Sequence, residues 1–152
     1  MARTAKKAAK RAAPKKKAAP RRAIRAATRK IITPPGAPAR TVPISAAVKV
    51  GNLIFVSGTT PFDRDGNIAR GDFGAQMHQV MTNIKAILAA GGSSLERVVK
   101  VVVILTRIGD FAQMNEIYRQ YFRAGNYPAR TTIGAPLANP DFLLEIECVA
   151  EA

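Results

Sequence analysis

The residues most able to do chemistry in this chain of 152 residues are one arginine and two glutamates close together in the last quarter: Arg130, Glu145 and Glu147. A guanidinium grips a carboxylate through two parallel hydrogen bonds, and a carboxylate tuned by its neighbours can take a proton from water. Over residues 142–149, Leu143, Glu145, Glu147 and Val149 fall on one face of a strand, and Leu144, Ile146 and Cys148 on the other. If residues 130–135 form a hairpin with this strand, with Ala135 opposite Phe142, Arg130 lies opposite Glu147 and diagonal to Glu145. One guanidinium and two carboxylates then share a sheet face, and a one-residue slip would set Arg130 against apolar side chains instead. The competing reading is a cross-strand ion pair at a sheet edge, which contributes little.

Other catalytic sets are scarce. The single histidine, His78, lies in a helical pattern and the single cysteine, Cys148, in a strand pattern, and nothing in the sequence brings them together. With so few His and Cys residues, metal sites built from them lack ligands, so no metal is expected. Gly91-Gly92 follows a helix pattern where a phosphate-cradling glycine motif would open one.

The elements that must position Arg130 and Glu145 can be read from periodicity. Residues 46–50 and 53–57 alternate as two strands around Gly51-Asn52, a two-residue hairpin turn. Residues 59–71 carry Pro61, Asp65-Gly66-Asn67 and Gly71, which is loop chemistry. From Asp72, Met77, Val80, Met81, Ile84, Ile87 and Leu88 recur at helical spacing until Gly91-Gly92. Residues 98–105 are apolar on both parities, as in a strand covered on both faces. A second helix is predicted from Asp110, its N-cap, through Phe111, Met114, Ile117, Tyr118, Tyr121 and Phe122. Strands at about 130–135 and 142–149 close the chain. The order β-β-α-β-α-β-β is an α+β fold, a mixed sheet with two helices on one face. The other face then needs cover from outside the chain, and self-association supplies it most economically.

The formal charge of +14 is unevenly spread. Residues 1–40 hold 14 Lys and Arg and no acid, whereas residues 41–152 balance 10 bases with 10 acids. The first segment is mostly Ala, Lys, Arg and Pro, which predicts a disordered basic tail and linker over 1–40 and a neutral domain over 41–152. Thirteen bases in residues 1–30 suit non-specific, salt-dependent binding to DNA or RNA, and the absence of aromatics there removes base stacking. A merely solubilising tail is the plainer alternative. Lys15-Lys16-Lys17 between prolines argues against a mitochondrial presequence. No apolar run is long enough for a membrane span or secretion signal, so a cytoplasmic protein is expected, nucleoid-associated if the tail binds DNA.

Several segments together are family-specific. Val50-Gly51-Asn52-Leu53-Ile54-Phe55-Val56-Ser57-Gly58, Asn83-Ile84-Lys85-Ala86-Ile87-Leu88, Met114-Asn115-Glu116-Ile117-Tyr118, Tyr127-Pro128-Ala129-Arg130-Thr131 and Leu144-Glu145-Ile146-Glu147 closely resemble the Rid family of reactive-intermediate deaminases, also known as YjgF or L-PSP. The resemblance spans roughly residues 41–151 and excludes the tail, whose Lys/Ala/Pro composition resembles histone-like tails. It implies a chorismate-mutase-like fold, a homotrimer with clefts between subunits, and cofactor-free hydrolysis of 2-imino acids such as 2-iminopropanoate and 2-iminobutanoate to 2-oxo acids and ammonia. It further implies that Arg130 clamps the substrate carboxylate, that Glu145 positions and deprotonates the attacking water, that the backbone at Thr131 and Thr132 binds the imine end, and that Asn115 lines the cleft. Ile44 stands after Pro43 where well-studied members have tyrosine, and Thr132 stands where many have cysteine, implying a differently shaped pocket. The readings of a different class are a nucleic-acid-associated protein with ribonuclease activity and a non-catalytic ligand-binding trimer.

Overall fold

Glycine at position 51 starts the fold by closing its first hairpin. A computed structural model of the chain describes residues 28–37 and 42–152. In it, strands β2 (Ala47–Val50) and β3 (Leu53–Thr59) pair antiparallel with Val50 opposite Leu53. Gly51 has φ of 60°, and among the described residues none other than glycine has positive φ, which is the pattern of a II′ turn with glycine at its first central position. Helix α1 (Phe73–Ala90) begins at the predicted cap, where the Asp72 carboxylate accepts from the Ala75 N–H at 2.9 Å. It stops at Gly91-Gly92, and Gly92 takes φ of 79°.

Strand β4 (Val98–Leu105), helix α2 (Phe111–Tyr118) and strand β5 (Ala129–Gly134) form a parallel β-α-β unit, and β6 (Leu144–Glu151) ends the chain. The helix is shorter than expected, ending at Tyr118. Asp110 does not cap it with its side chain; the carboxylate is taken by Arg107 Nε at 2.9 Å.

Two features depart from the sequence reading. Arg29–Ile32 forms an edge strand, β1, paired with β2, so four residues assigned to the tail and linker belong to the sheet. The reason is local: Ile32 is buried in the core beside Ile54, while Arg29, Lys30 and Ile31 stay exposed as an edge allows. The rest of the proposed tail, residues 1–27, and the proposed domain start at Thr41 lie outside the described residues. The second departure is strand order, β1-β2-β3-β6-β4-β5. The last two strands are not a hairpin, because β4 lies between them, parallel to β5 and antiparallel to β6.

The expected α+β class, a mixed sheet with two helices, is thus realised with one extra strand. Ile54, Val56, Val101, Val103, Leu105, Leu144, Ile146 and Cys148 point to the helices and are buried with Met77, Met81, Ile84 and Leu88. The entry to β6 is pinned by Gln76 of α1, fully buried. Its Nε2 donates to Ala69 O at 3.0 Å and Asp141 O at 2.8 Å, and its Oε1 accepts from Leu143 N at 2.8 Å. On the opposite sheet face Phe55 and Ile133 are exposed, and Val102, Ile104, Glu145 and Val149 only half-buried.

Candidate functional site

The parallel register sets Arg130 beside Val101, whose side chain faces the helices, so Arg130 faces them too. There α2 presents Phe111, Met114, Asn115 and Tyr118, spaced three, four and seven residues on and therefore on one helix face. Arg130 Nη2 donates to Asn115 Oδ1 at 2.6 Å, and Nη1 lies 3.6 Å from Met114 Sδ. The guanidinium carbon sits 4.6 Å from the Tyr118 ring centroid and 5.9 Å from that of Phe111, a cation over aromatic faces. Burial pushes the Tyr118 hydroxyl up to about 12, so the ring remains neutral beside the cation. The ion pairs among the described residues are Arg70–Asp141 and Arg107–Asp110, so Arg130 has no carboxylate partner there. A cation fixed by a neutral amide and aromatic rings keeps its charge available to an anion.

Thr132, two residues on, shares the face of Arg130, and its Oγ1 is buried without a hydrogen-bond partner. Thr131 points the other way, where its Oγ1 accepts from Lys100 Nζ at 2.7 Å. Of the expected site residues, therefore, Arg130, Asn115 and Thr132 come together.

Glu145 does not join them. It sits on β6 opposite Ile104, on the open face, with Glu147 two residues along. The expected single face holding Arg130, Glu145 and Glu147 is therefore corrected. β5 pairs with β4 alone, and its parity puts Arg130 on the covered face while the glutamates lie on the open one. The Glu145 carboxylate rests against Gly58 of β3, where any Cβ would overlap its Oε1. Burial, then the charge of Glu147, raise the pKa of Glu145 above the ordinary 4.5. A half-buried carboxylate with a raised pKa holds a proton more tightly than an ordinary one and is the better general base. Ile44 is exposed just before β2. Four strand spacings, about 19 Å, separate β2 from β5.

Sequence reasoning missed the positioning residues Gly58, Phe111, Met114 and Tyr118. The α2 spacing marks the last three as packing residues, and Gly58 stands only as the end of the Val50–Gly58 segment, with nothing in its spacing that ties it to Glu145. His78 is exposed, with Nδ1 2.6 Å from the Tyr121 hydroxyl, and Cys148 is buried with its thiol pushed up to about 12 by burial; neither is near a partner for nucleophilic chemistry. Among the described residues no helix is long and apolar enough to cross a membrane.

Comparison with known proteins agrees with this fold. The family model described as endoribonuclease L-PSP matches residues 35–152. A RutC family protein of Pyrococcus horikoshii is 43% identical over 123 residues, 80% of this chain and 97% of the relative. The solved structure of RidA from an Antarctic Psychrobacter superposes with a TM-score of 0.74 at 39% identity, covering 81% of this chain and 99% of that one. Escherichia coli TdcF, solved with bound serine, gives a TM-score of 0.73 at 33% identity, covering 81% and 98%. With most of its length matched in sequence and fold, the chain belongs to the endoribonuclease L-PSP family, also known as the Rid or YjgF family.

Proposed function

We propose that the protein hydrolyses 2-imino acids of the 2-iminopropanoate and 2-iminobutanoate type to 2-oxo acids and ammonia, at sites built between copies of the chain in a homotrimer. The observation that carries this is the Arg130 guanidinium, fixed by Asn115 and two aromatic rings yet without a carboxylate of its own among the described residues. Such a cation fits the substrate carboxylate. TdcF, a protein of this fold, was solved with bound serine, and serine carries a carboxylate next to a nitrogen-bearing carbon, as a 2-imino acid does.

Because Arg130 and Glu145 lie on opposite sheet faces, a site using both takes Arg130 from one copy and Glu145 from the next. The exposed Phe55 and Ile133 on the open face are surface that a second copy would cover. Ile44, remote from Arg130 in one chain, would wall the site from the Glu145 side.

The chemistry is balanced by water alone. Arg130 holds the carboxylate, and the Thr132 hydroxyl and the neighbouring backbone, Thr131 included, hold the imine end. Glu145 takes a proton from water as its oxygen bonds to the imine carbon, giving a carbinolamine. That proton passes to nitrogen, the carbinolamine hydroxyl then gives up its own through Glu145 to the same nitrogen, and the C–N bond breaks so that ammonia leaves as the carbonyl forms.

The test generates 2-iminobutanoate in place with a pyridoxal-phosphate dehydratase and follows its loss. Arg130→Ala is expected to lower the rate about a hundredfold or more, as removal of a charge-assisted clamp does. Equal rates for variant and wild type would end the assignment.

A further inference from the structure

We propose that residues 1–30, together with the sheet edge into which they lead, attach the protein to the phosphate backbone of duplex nucleic acid without reading its sequence. The first acid in the chain is Asp63, and the residues before it include 15 Lys and Arg. Two of these, Arg29 and Lys30, lie exposed on β1, the outermost strand of the sheet. Lys30 stands directly opposite Lys49 of β2, so two ammonium groups share one face across a strand pair. Like charges so placed repel. Neither forms an ion pair with a carboxylate among the described residues. A run of thirteen bases in thirty residues that ends in Lys30, itself set against an unneutralised Lys49, is a footprint for a polyanion.

The chemistry of the run selects the polyanion. Its first thirty residues contain no aromatic residue and, beyond Met1 and Ile24, no large aliphatic one. That removes the stacking platform that single strands require and the apolar face that membrane-surface helices insert. What remains is charge, which fits the dense phosphates of a duplex. The position also separates the two functions within a chain. β1 and β5 are opposite edges of the sheet, five strand spacings or about 24 Å apart, so the basic edge is remote from Arg130.

The experiment titrates the full chain with a fluorescent 30-base-pair DNA duplex of arbitrary sequence at stepped salt. Parallel arms use single-stranded poly-uridine and phosphatidylserine vesicles. Neutralising five to nine phosphates predicts a log–log salt slope of about −5 to −8, unchanged for a second duplex sequence. The full-length variant with Lys15, Lys16, Lys17, Arg21 and Arg22 all changed to Gln is expected to bind at least about tenfold more weakly at ~0.1 M salt. Its slope should be shallower by about three to four. The pair Lys30→Gln with Lys49→Gln, checked for folding by circular dichroism, should reduce the slope by one to two more units. No duplex binding at ~0.05 M salt, a slope unmoved by the five-residue variant, or tighter binding to single strand or vesicle than to duplex would each overturn the proposal.

Discussion

On the helix-covered face of the sheet, Arg130 is surrounded by four side chains of one helix, with an amide oxygen 2.6 Å from one nitrogen and a tyrosine ring under its plane. On the open face, Glu145 rests against the bare backbone of Gly58 and feels mainly its own burial and the charge of Glu147. The cation is positioned by what touches it and the anion by what is missing beside it. This contrast teaches how a small neutral domain can keep two opposite charges apart within a chain. The strand between them, β4, holds the two apart within a chain, so the proposed site needs a second copy to complete the pair.

The sharpest way to break that comparison is to mix two dead proteins. Arg130→Ala and Glu145→Ala are each expected to be inactive alone. If each site joins Arg130 of one copy to Glu145 of the next, unfolding and refolding them together at equal amounts yields mixed trimers with one intact site in three. About a quarter of all sites, and of the wild-type rate, should return. A mixture that stays at the background of the separate proteins would show that both residues act from one chain.

Next in size is the seat of Glu145. Changing Gly58→Ala places a methyl group where the carboxylate lies, so Glu145 must rotate away. Because Gly58 does not have positive φ, alanine there brings no backbone strain. The expected result is a loss of about tenfold in kcat, with KM little changed because Arg130 still holds the carboxylate. An equal rise in KM with kcat intact would instead place Gly58 in substrate binding. Asn115→Ala sharpens the other side: the guanidinium loses its one amide contact but keeps both rings. The rise in KM expected is smaller, about threefold to tenfold, and kcat should hardly move.

How much of this was legible in the sequence depends on whether the physics was local. The hairpin at Gly51, the capped helix from Asp72 and the two-sided apolar strand β4 each carry a period or a turn residue that is hard to mistake. The face of Glu145 is legible because Leu144, Ile146 and Cys148 alternate with it. That of Arg130 is not, since residues 130–134 read Arg-Thr-Thr-Ile-Gly, in which neither parity is apolar, and nothing local fixes which side faces the core. The nine residues between β5 and β6 can step over a strand as readily as turn back, and no side-chain pattern records that choice. β1 is illegible for a similar reason: an exposed edge strand needs few apolar residues, and Ile31-Ile32 follows a run of Ala and Arg that drowns it.

The smallest effect tests whether the open face strains its carboxylate. Since burial and Glu147 raise the folded pKa of Glu145 above its ordinary 4.5, the folded state favours the protonated form. The stability this lends is fully present below the unfolded pKa and is lost as pH rises through the raised folded value. At neutral pH the charged carboxylate is therefore a small burden, and Glu145→Gln should melt slightly higher than wild type, with the difference closing as pH falls toward 4.5. Activity follows the opposite sign, because the base works only when deprotonated: the rate should fall as pH drops through the raised value. Glu147→Gln removes the nearby negative charge, so the acid limb of the rate profile should move to lower pH by a fraction of a unit while the plateau stays. An acid limb that ignores Glu147, or a Glu145→Gln protein that melts lower at neutral pH, would mean that the two carboxylates do not share the open face in the working assembly.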